Sequence, residues 1–182
     1  MKTGSKLTVR ELCQIGLITA VIAICAQIAV PLPGMVPFTL QAWAVCLAGL
    51  VLGPKSGTIA AIVYVLMGAV GAPVFAQFSG GMGVILRHTG GFILSFPLVA
   101  LLAGLGERTG KLPWVFAGLV AGVLVNWLVG MLYFSWVLST SLAVAFTAAV
   151  LPFIPSAILR VILLPFISRG IKSALVAARV LS

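Results

Sequence analysis

Two arginines stand apart from the other charges of this chain of 182 residues. Arg87 closes the segment Gly71-Ala-Pro-Val-Phe-Ala-Gln-Phe-Ser-Gly-Gly-Met-Gly-Val-Ile-Leu-Arg87, and Arg160 follows Pro152-Phe-Ile-Pro155-Ser156. A guanidinium is a planar fork of donors that meets a carboxylate through two parallel hydrogen bonds. The chain holds only two acids, Glu11 and Glu107, and no Asp, so neither arginine has a nearby protein counterion in sequence. Either each side chain snorkels to lipid headgroups, or the pair receives an anionic ligand, for which a carboxylate is the natural guest. Asn126, in the middle of an apolar run, points to a helix-to-helix hydrogen bond or a ligand contact. His88 beside Arg87 is a polar lid group, a pH-sensitive group or a plain loop residue.

Catalytic chemistry has little to work with. Hydrolytic, metal-dependent and proton-relay mechanisms need acids that this chain does not place near either arginine, so no catalytic residue, metal site or cofactor is expected. Cys13, Cys25 and Cys46 show neither CxxC spacing nor a neighbouring His and read as packing residues. Lys55-Ser56 superficially matches a nucleotide-binding loop, but Pro54 stands where glycine is required, so no ATP site is encoded.

The elements that must position these residues are membrane helices. The chain is 62% apolar and only 7% charged, with a mean hydropathy of +1.29, a composition foreign to soluble domains. A charge at the bilayer centre costs at least ~2.5 to 3.5 kcal/mol, so charge-free runs mark the spans. Residues 12–54, 56–86, 88–106 and 112–159 carry no Lys, Arg, Asp or Glu. Broken at Pro31, Pro33, Gly34 and Pro37 and at the glycine-rich stretches, they predict an all-α integral membrane protein in one domain. Its six helices lie at about 12–30, 38–52, 57–70, 91–105, 112–138 and 156–175. Pro155 and Ser156 make a helix start for the last of them. The segment 71–90 is too apolar for an exposed loop and too glycine-rich for a straight helix, which predicts a loop folded back over a pocket. The first apolar run continues for a full span and others follow it, unlike a cleavable signal peptide.

With six helices, both termini, the turn near Lys55 and the loop 106–112 share one side. That side carries Lys2, Lys6, Arg10, Lys55, Arg108, Lys111, Arg169, Lys172 and Arg179 together with both acids, and is therefore predicted to be cytoplasmic. The net charge of +9 then reflects membrane topology and anionic lipid rather than nucleic acid. Trp114, Tyr133 and Trp136 fall where interfacial aromatic belts are expected. Gly16, Ala20 and Ala23 give the first helix a strip of small residues that a second helix can approach closely, inside the bundle or from outside it.

Several separated stretches resemble the BioY family in the family's own order: Phe38-Thr-Leu-Gln41, Gly49-Leu-Val-Leu-Gly-Pro-Lys55, Tyr64-Val-Leu-Met-Gly-Ala-Val-Gly-Ala-Pro-Val-Phe75, Phe78-Ser-Gly-Gly81, Thr89-Gly-Gly-Phe92 and Leu151-Pro-Phe-Ile-Pro155. These are biotin-specific substrate-binding (S) components of energy-coupling factor (ECF) transporters. The resemblance implies a six-helix S-component fold with cytoplasmic termini in the cytoplasmic membrane of a bacterium or archaeon. It implies a non-enzymatic role in biotin capture and transport, with ATP hydrolysed by two partner ATPases joined through a transmembrane coupling subunit. It also favours an external partner for Gly16, Ala20 and Ala23. The substrate-binding set it brings together is Arg87, Arg160, Phe92, Gln41, Phe75, Phe78, Gln77, Asn126 and Ser156. The family pattern after Pro-Phe-Ile-Pro has Gly-Asp and then a Lys three residues past the Asp, whereas this chain has Ser156, Ala157 and Arg160, and Phe92 stands where the family often has Tyr. A related carboxylate is the alternative ligand; an integral-membrane enzyme or a channel is the alternative class, against which stand the missing acids and the lack of a polar stripe.

Overall fold

A computed structural model describes residues 7–30 and 36–177. Pro31, Pro33 and Gly34, expected to break the first run, and the basic Lys2, Lys6 and Arg179 lie outside them. Helix α1 runs Val9–Gln27, opened by a capping box in which Thr8 and Glu11 satisfy each other's backbone donors. The expected start at 12 is therefore three residues late: the Thr-x-x-Glu signal places the helix start before the first charge-free residue. The expected end at 30 is also late, because Ala29–Val30 (β1) leave the helix and pair antiparallel with Phe38–Thr39 (β2).

Helix α2, Gln41–Ala69, covers the two expected spans at 38–52 and 57–70. Gly53 interrupts it with φ 81° and ψ 177°, a conformation open to glycine and closed to residues with a Cβ. Pro54 then restarts the helix with its preset φ and missing donor. The two halves, 41–52 and 54–69, fold into a tight hairpin. A Cβ at Gly57 would fall 2.7 Å from the Cα of Gly49, and Gln41 bonds Tyr64 across the pair.

The segment 71–90 is structured more than a loop: a 3-10 turn at Ala76–Phe78, a short helix α3 at Met82–Ile85 and an antiparallel bridge between Phe75 and Ser79. The span expected at 91–105 is two stacked pieces, α4 (Gly90–Leu94) and α5 (Phe96–Glu107), with Pro97 at the start of the second. Helix α6 occupies Leu112–Leu138. The connection before the last span holds one more helix, α7 (Leu142–Ala149), capped by Ser141. Within a charge-free run of that length, nothing in the charge pattern separates it from α6. Helix α8 begins at Ile154, two residues before the expected 156, and runs to Ala177.

Four stretches of the described chain are long and apolar enough to cross a membrane: Val9–Gln27, Gln41–Ala69, Leu112–Leu138 and Leu142–Ala177. Because α2 doubles back at Gly53 and α4 with α5 forms one further column, the described residues make six helical columns of a multi-pass membrane fold, with α7 beside them. Its core is small and close-packed, with Ala44, Val45, Ala48, Leu50, Ala61, Ala100 and Ala103 at the contacts of α2 and α5, as expected where backbone proximity rather than hydrophobic driving force holds helices together in lipid. Outward faces carry Leu17, Ile24, Leu66, Leu124, Leu128 and Ile162.

The two ends differ. At one, Lys172 meets Glu107 at 2.7 Å, near the Gly53 turn and the connection from α5 to α6. At the other, β2, the 71–90 segment, the end of α7 and the start of α8 surround an opening.

Candidate functional site

The opening leads into a cavity of about 300 Å³, at the lower end of the roughly 300 to 1,000 Å³ typical of small-molecule clefts. Its walls come from the start of α2, the 71–90 segment, α4, the middle of α6, the end of α7 and the start of α8. Eight of the nine residues expected to bind substrate, namely Gln41, Phe75, Gln77, Arg87, Phe92, Asn126, Ser156 and Arg160, line it. They are spread over 120 positions of sequence, from 41 to 160, and the bundle brings them to one place.

Arg160 is the most unusual of them. It lies on the first turns of α8, only 6% exposed, and its Nε is buried without an acceptor among the described residues. A buried donor without an acceptor costs about 1 to 3 kcal/mol, and more on a charged group. Snorkelling to headgroups, one of the two readings of this residue, needs an exposed guanidinium, and this one is enclosed. Arg87 differs: it is exposed at the rim of the cavity.

Two amides are buried beside the cavity. Gln41, 5% exposed, donates from Nε2 to the Tyr64 hydroxyl at 2.7 Å, and that hydroxyl donates to the Val74 carbonyl at 2.9 Å. Asn126, 6% exposed, donates from Nδ2 to the Ser95 hydroxyl at 2.7 Å and the Phe92 carbonyl at 3.1 Å. The helix-to-helix bond expected of Asn126 is thus present, and the residue lines the cavity as well. Ser156 accepts from the Trp43 indole at 3.3 Å, tying the start of α8 to α2.

The aromatic walls are held by the absence of side chains behind them. Phe75 is buried with its ring over Gly68 and edge-on to Tyr64 at 5.6 Å. The Phe92 ring lies over Gly130 in the same way. The rim segment is pinned from α1: Gln27 donates to the carbonyls of Val74 and Phe75 at 3.3 and 3.1 Å and accepts from the Phe78 N–H at 2.8 Å. Tyr133, expected in an aromatic belt, instead donates its hydroxyl to the Ile85 carbonyl at 3.1 Å and steadies α3. His88 packs edge-on against Phe134 at 5.5 Å.

Phe78 is the correction. It lies outside the cavity at 73% exposure, because Gln77 and Phe78 both take left-handed φ and the bond to Gln27 turns the Phe78 ring away. Sequence reading also missed Trp43, Phe96, Trp127 and Phe153, which belong to the apolar lining together with Phe38 and Ile93. Trp127 adjoins Asn126 and Trp43 follows Gln41 by two, so their neighbours were the available signal; helices apolar on every side give no periodicity to single them out. Ala157, in the position of the expected Asp, puts a methyl on the wall. The small strip of α1 lies outside the cavity, with Gly16 and Ala20 exposed and Ala23 half-buried, and nothing within 4 Å of a Cβ placed on Gly16.

The family model described as the BioY family matches residues 1–177. Among curated proteins, the chain is similar to one named probable biotin transporter BioY from Pyrococcus horikoshii, 43% identical over 145 residues that make up 80% of this chain and 85% of that one. It is also similar to the biotin transporter BioY of Thermotoga maritima, 45% identical over 67% of this chain and 72% of the relative. Among solved structures, it matches a crystal structure of the S-component for biotin from an ECF-type ABC transporter with a TM-score of 0.81 and 27% identity, covering 92% of this chain and 95% of that one. With a matched family model over nearly its whole length and relatives of this identity and coverage, the chain belongs to the BioY family.

Proposed function

We propose that this protein captures biotin at the cavity end of the bundle and acts as the substrate-binding component of an ECF-type transporter. The observation that carries the reading is Arg160, a cation enclosed in an apolar cavity with its Nε unsatisfied. An anionic guest would neutralise it, and biotin offers a carboxylate together with an apolar ring body suited to the aromatic walls. Arg87, exposed at the rim, supplies long-range attraction for the same anion. Gln41, Asn126, Gln77 and Ser156 supply the polar contacts, with Phe75 and Phe92 against the ring. The names of the relatives and of the structural neighbour support the same ligand.

The machinery fits capture rather than catalysis. The cavity lining contains neither an acid nor a cysteine, and the one histidine stands beside the rim arginine. ATP hydrolysis would then belong to two partner ATPases, reached through a transmembrane coupling subunit that docks on Gly16, Ala20 and Ala23 of α1. The basic end would face the cytoplasm of a bacterium or archaeon, with both termini on that side.

Titration calorimetry of the detergent-purified protein tests the reading: saturable one-to-one biotin binding is expected, and no heat at millimolar biotin would defeat it. Ala157 favours one second reading, a related carboxylate that needs one acceptor fewer. It would be revealed by a carboxylate that lacks the ureido group competing as well as biotin does.

A further inference from the structure

The hydrogen-bond network fixes the direction of both buried amides. The Tyr64 hydroxyl spends its single proton on the Val74 carbonyl, which can only accept, so toward Gln41 the tyrosine oxygen must itself accept. Gln41 therefore presents Nε2 to Tyr64 and is left with Oε1. The same logic holds across the cavity: the Ser95 hydroxyl gives its proton to the Phe92 carbonyl at 2.9 Å, so Ser95 and Phe92 together offer only acceptors to Asn126. A flipped Asn126 would set its oxygen against two other oxygens. Its Oδ1 is therefore the atom left over, and among the described residues nothing donates to either oxygen.

The geometry points to Gln41 and Asn126 as a pair of locked hydrogen-bond acceptors that select a guest bearing two N–H donors in addition to its anionic group. Tyr64 and Ser95 act as positioning residues that hold the two amides in this orientation. The selection comes from what is left unpaired: a guest with an ether oxygen or carbonyl in place of an N–H faces a buried acceptor with nothing to give it. In a chain with Ala157 on the cavity wall, this places the acceptor function on α2 and α6 instead of α8. The inference rests on biotin capture, since the two N–H groups of a ureido ring are the donors in question.

Calorimetry with biotin and with two analogues, each methylated at one ureido nitrogen, provides the test. In the unaltered protein each methylation should weaken binding at least about tenfold, the usual consequence of one lost buried hydrogen bond. In Asn126→Leu and in Gln41→Leu, biotin itself should weaken by about tenfold, and one of the two methylations in each variant should then cost less than about threefold. Methylation penalties that stay at the unaltered protein's level in both variants would overturn the acceptor pair while leaving biotin capture standing. Failure of the unaltered protein to bind biotin would overturn both. Tyr64→Phe guards against a variant that does not fold: it keeps every cavity residue, frees Gln41 to rotate, and should cut one methylation penalty at least about threefold. An unchanged penalty there would again overturn the inference.

Discussion

An arginine enclosed in apolar surroundings is destabilising for the empty protein and valuable for the filled one, and this asymmetry makes Arg160 the residue on which affinity should turn. Arg160→Ala removes the cation and leaves an incoming carboxylate without its partner, so biotin binding should weaken by about 2 to 5 kcal/mol. Biotin amide should bind the unaltered protein more weakly than biotin, and the variant should scarcely tell the two apart; calorimetry with both ligands checks this. Arg87 is exposed, so its pairing with the guest is screened, and Arg87→Ala should cost no more than about 1 kcal/mol at equilibrium. Its larger effect should be a slower association that depends less on salt, measured by stopped-flow tryptophan quenching. If Arg87→Ala costs more than Arg160→Ala, the carboxylate rests at the rim, and the assignment of the two arginines is reversed. Ala157→Asp tests the neighbouring wall: an added carboxylate would tighten biotin if a ureido N–H reaches α8. Weaker binding would show a wall shaped around its methyl.

The rim segment owes its position to two side chains from other elements. Gln27, on the last turn of α1, holds Val74, Phe75 and Phe78 through three hydrogen bonds, and Tyr64 holds Val74 from below. Gln27→Leu keeps the approximate size and removes all three bonds, so the rim should open more often while the cavity residues stay in place. Faster amide exchange over 74–79 and a faster biotin dissociation rate are expected, with little change in thermal stability; unchanged exchange would show that Tyr64 and the Phe75 seat suffice. The same region marks how far sequence reading reached. That 71–90 folds back was legible, because apolar, glycine-rich backbone at membrane depth needs protein to bury it. Which of its side chains turn inward was not, since the choice between Gln77 and Phe78 is made by a left-handed turn and by a glutamine 51 residues from Phe78. Charge-free runs located the crossing helices, and Lys55 between two such runs marked the turn that Gly53 and Pro54 make. Helix α7 stayed hidden because Leu142–Ala149 sits in a run with no charge to bound it. Arg87, Arg160 and Asn126 were legible as costly residues in an apolar chain, and Gln41, Gln77 and Ser156 only through the family resemblance, whereas Trp43 and Trp127 looked like any other apolar residue there.

At the scale of the whole molecule, the proposed ligand cavity and the proposed docking strip lie on separate surfaces. The 71–90 segment and the start of α8 line the cavity, while Gly16 and Ala20 of the α1 strip face away from the bundle and Ala23 packs partly against the core. Thr19 shows the division on one helix: its hydroxyl reaches the Ala60 carbonyl of α2 at 3.2 Å and is buried, whereas Gly16 and Ala20 are exposed with open space beside Gly16. Lipid tails conform to any apolar side chain, so a lipid-facing strip has no need to be small; a helix that must come close to α1 does need it. Gly16→Leu therefore separates the two cases. A Cβ at this exposed position has nothing from the rest of the protein within 4 Å, so biotin affinity and thermal stability should stay within about 0.5 kcal/mol of the unaltered values. Biotin uptake by cells carrying the coupling subunit and ATPases should fall sharply, and the variant should no longer co-purify with the coupling subunit. Normal uptake with Gly16→Leu would place the docking surface elsewhere on the bundle, and a loss of biotin affinity would mean that α1 shapes the cavity as well as the partner's seat.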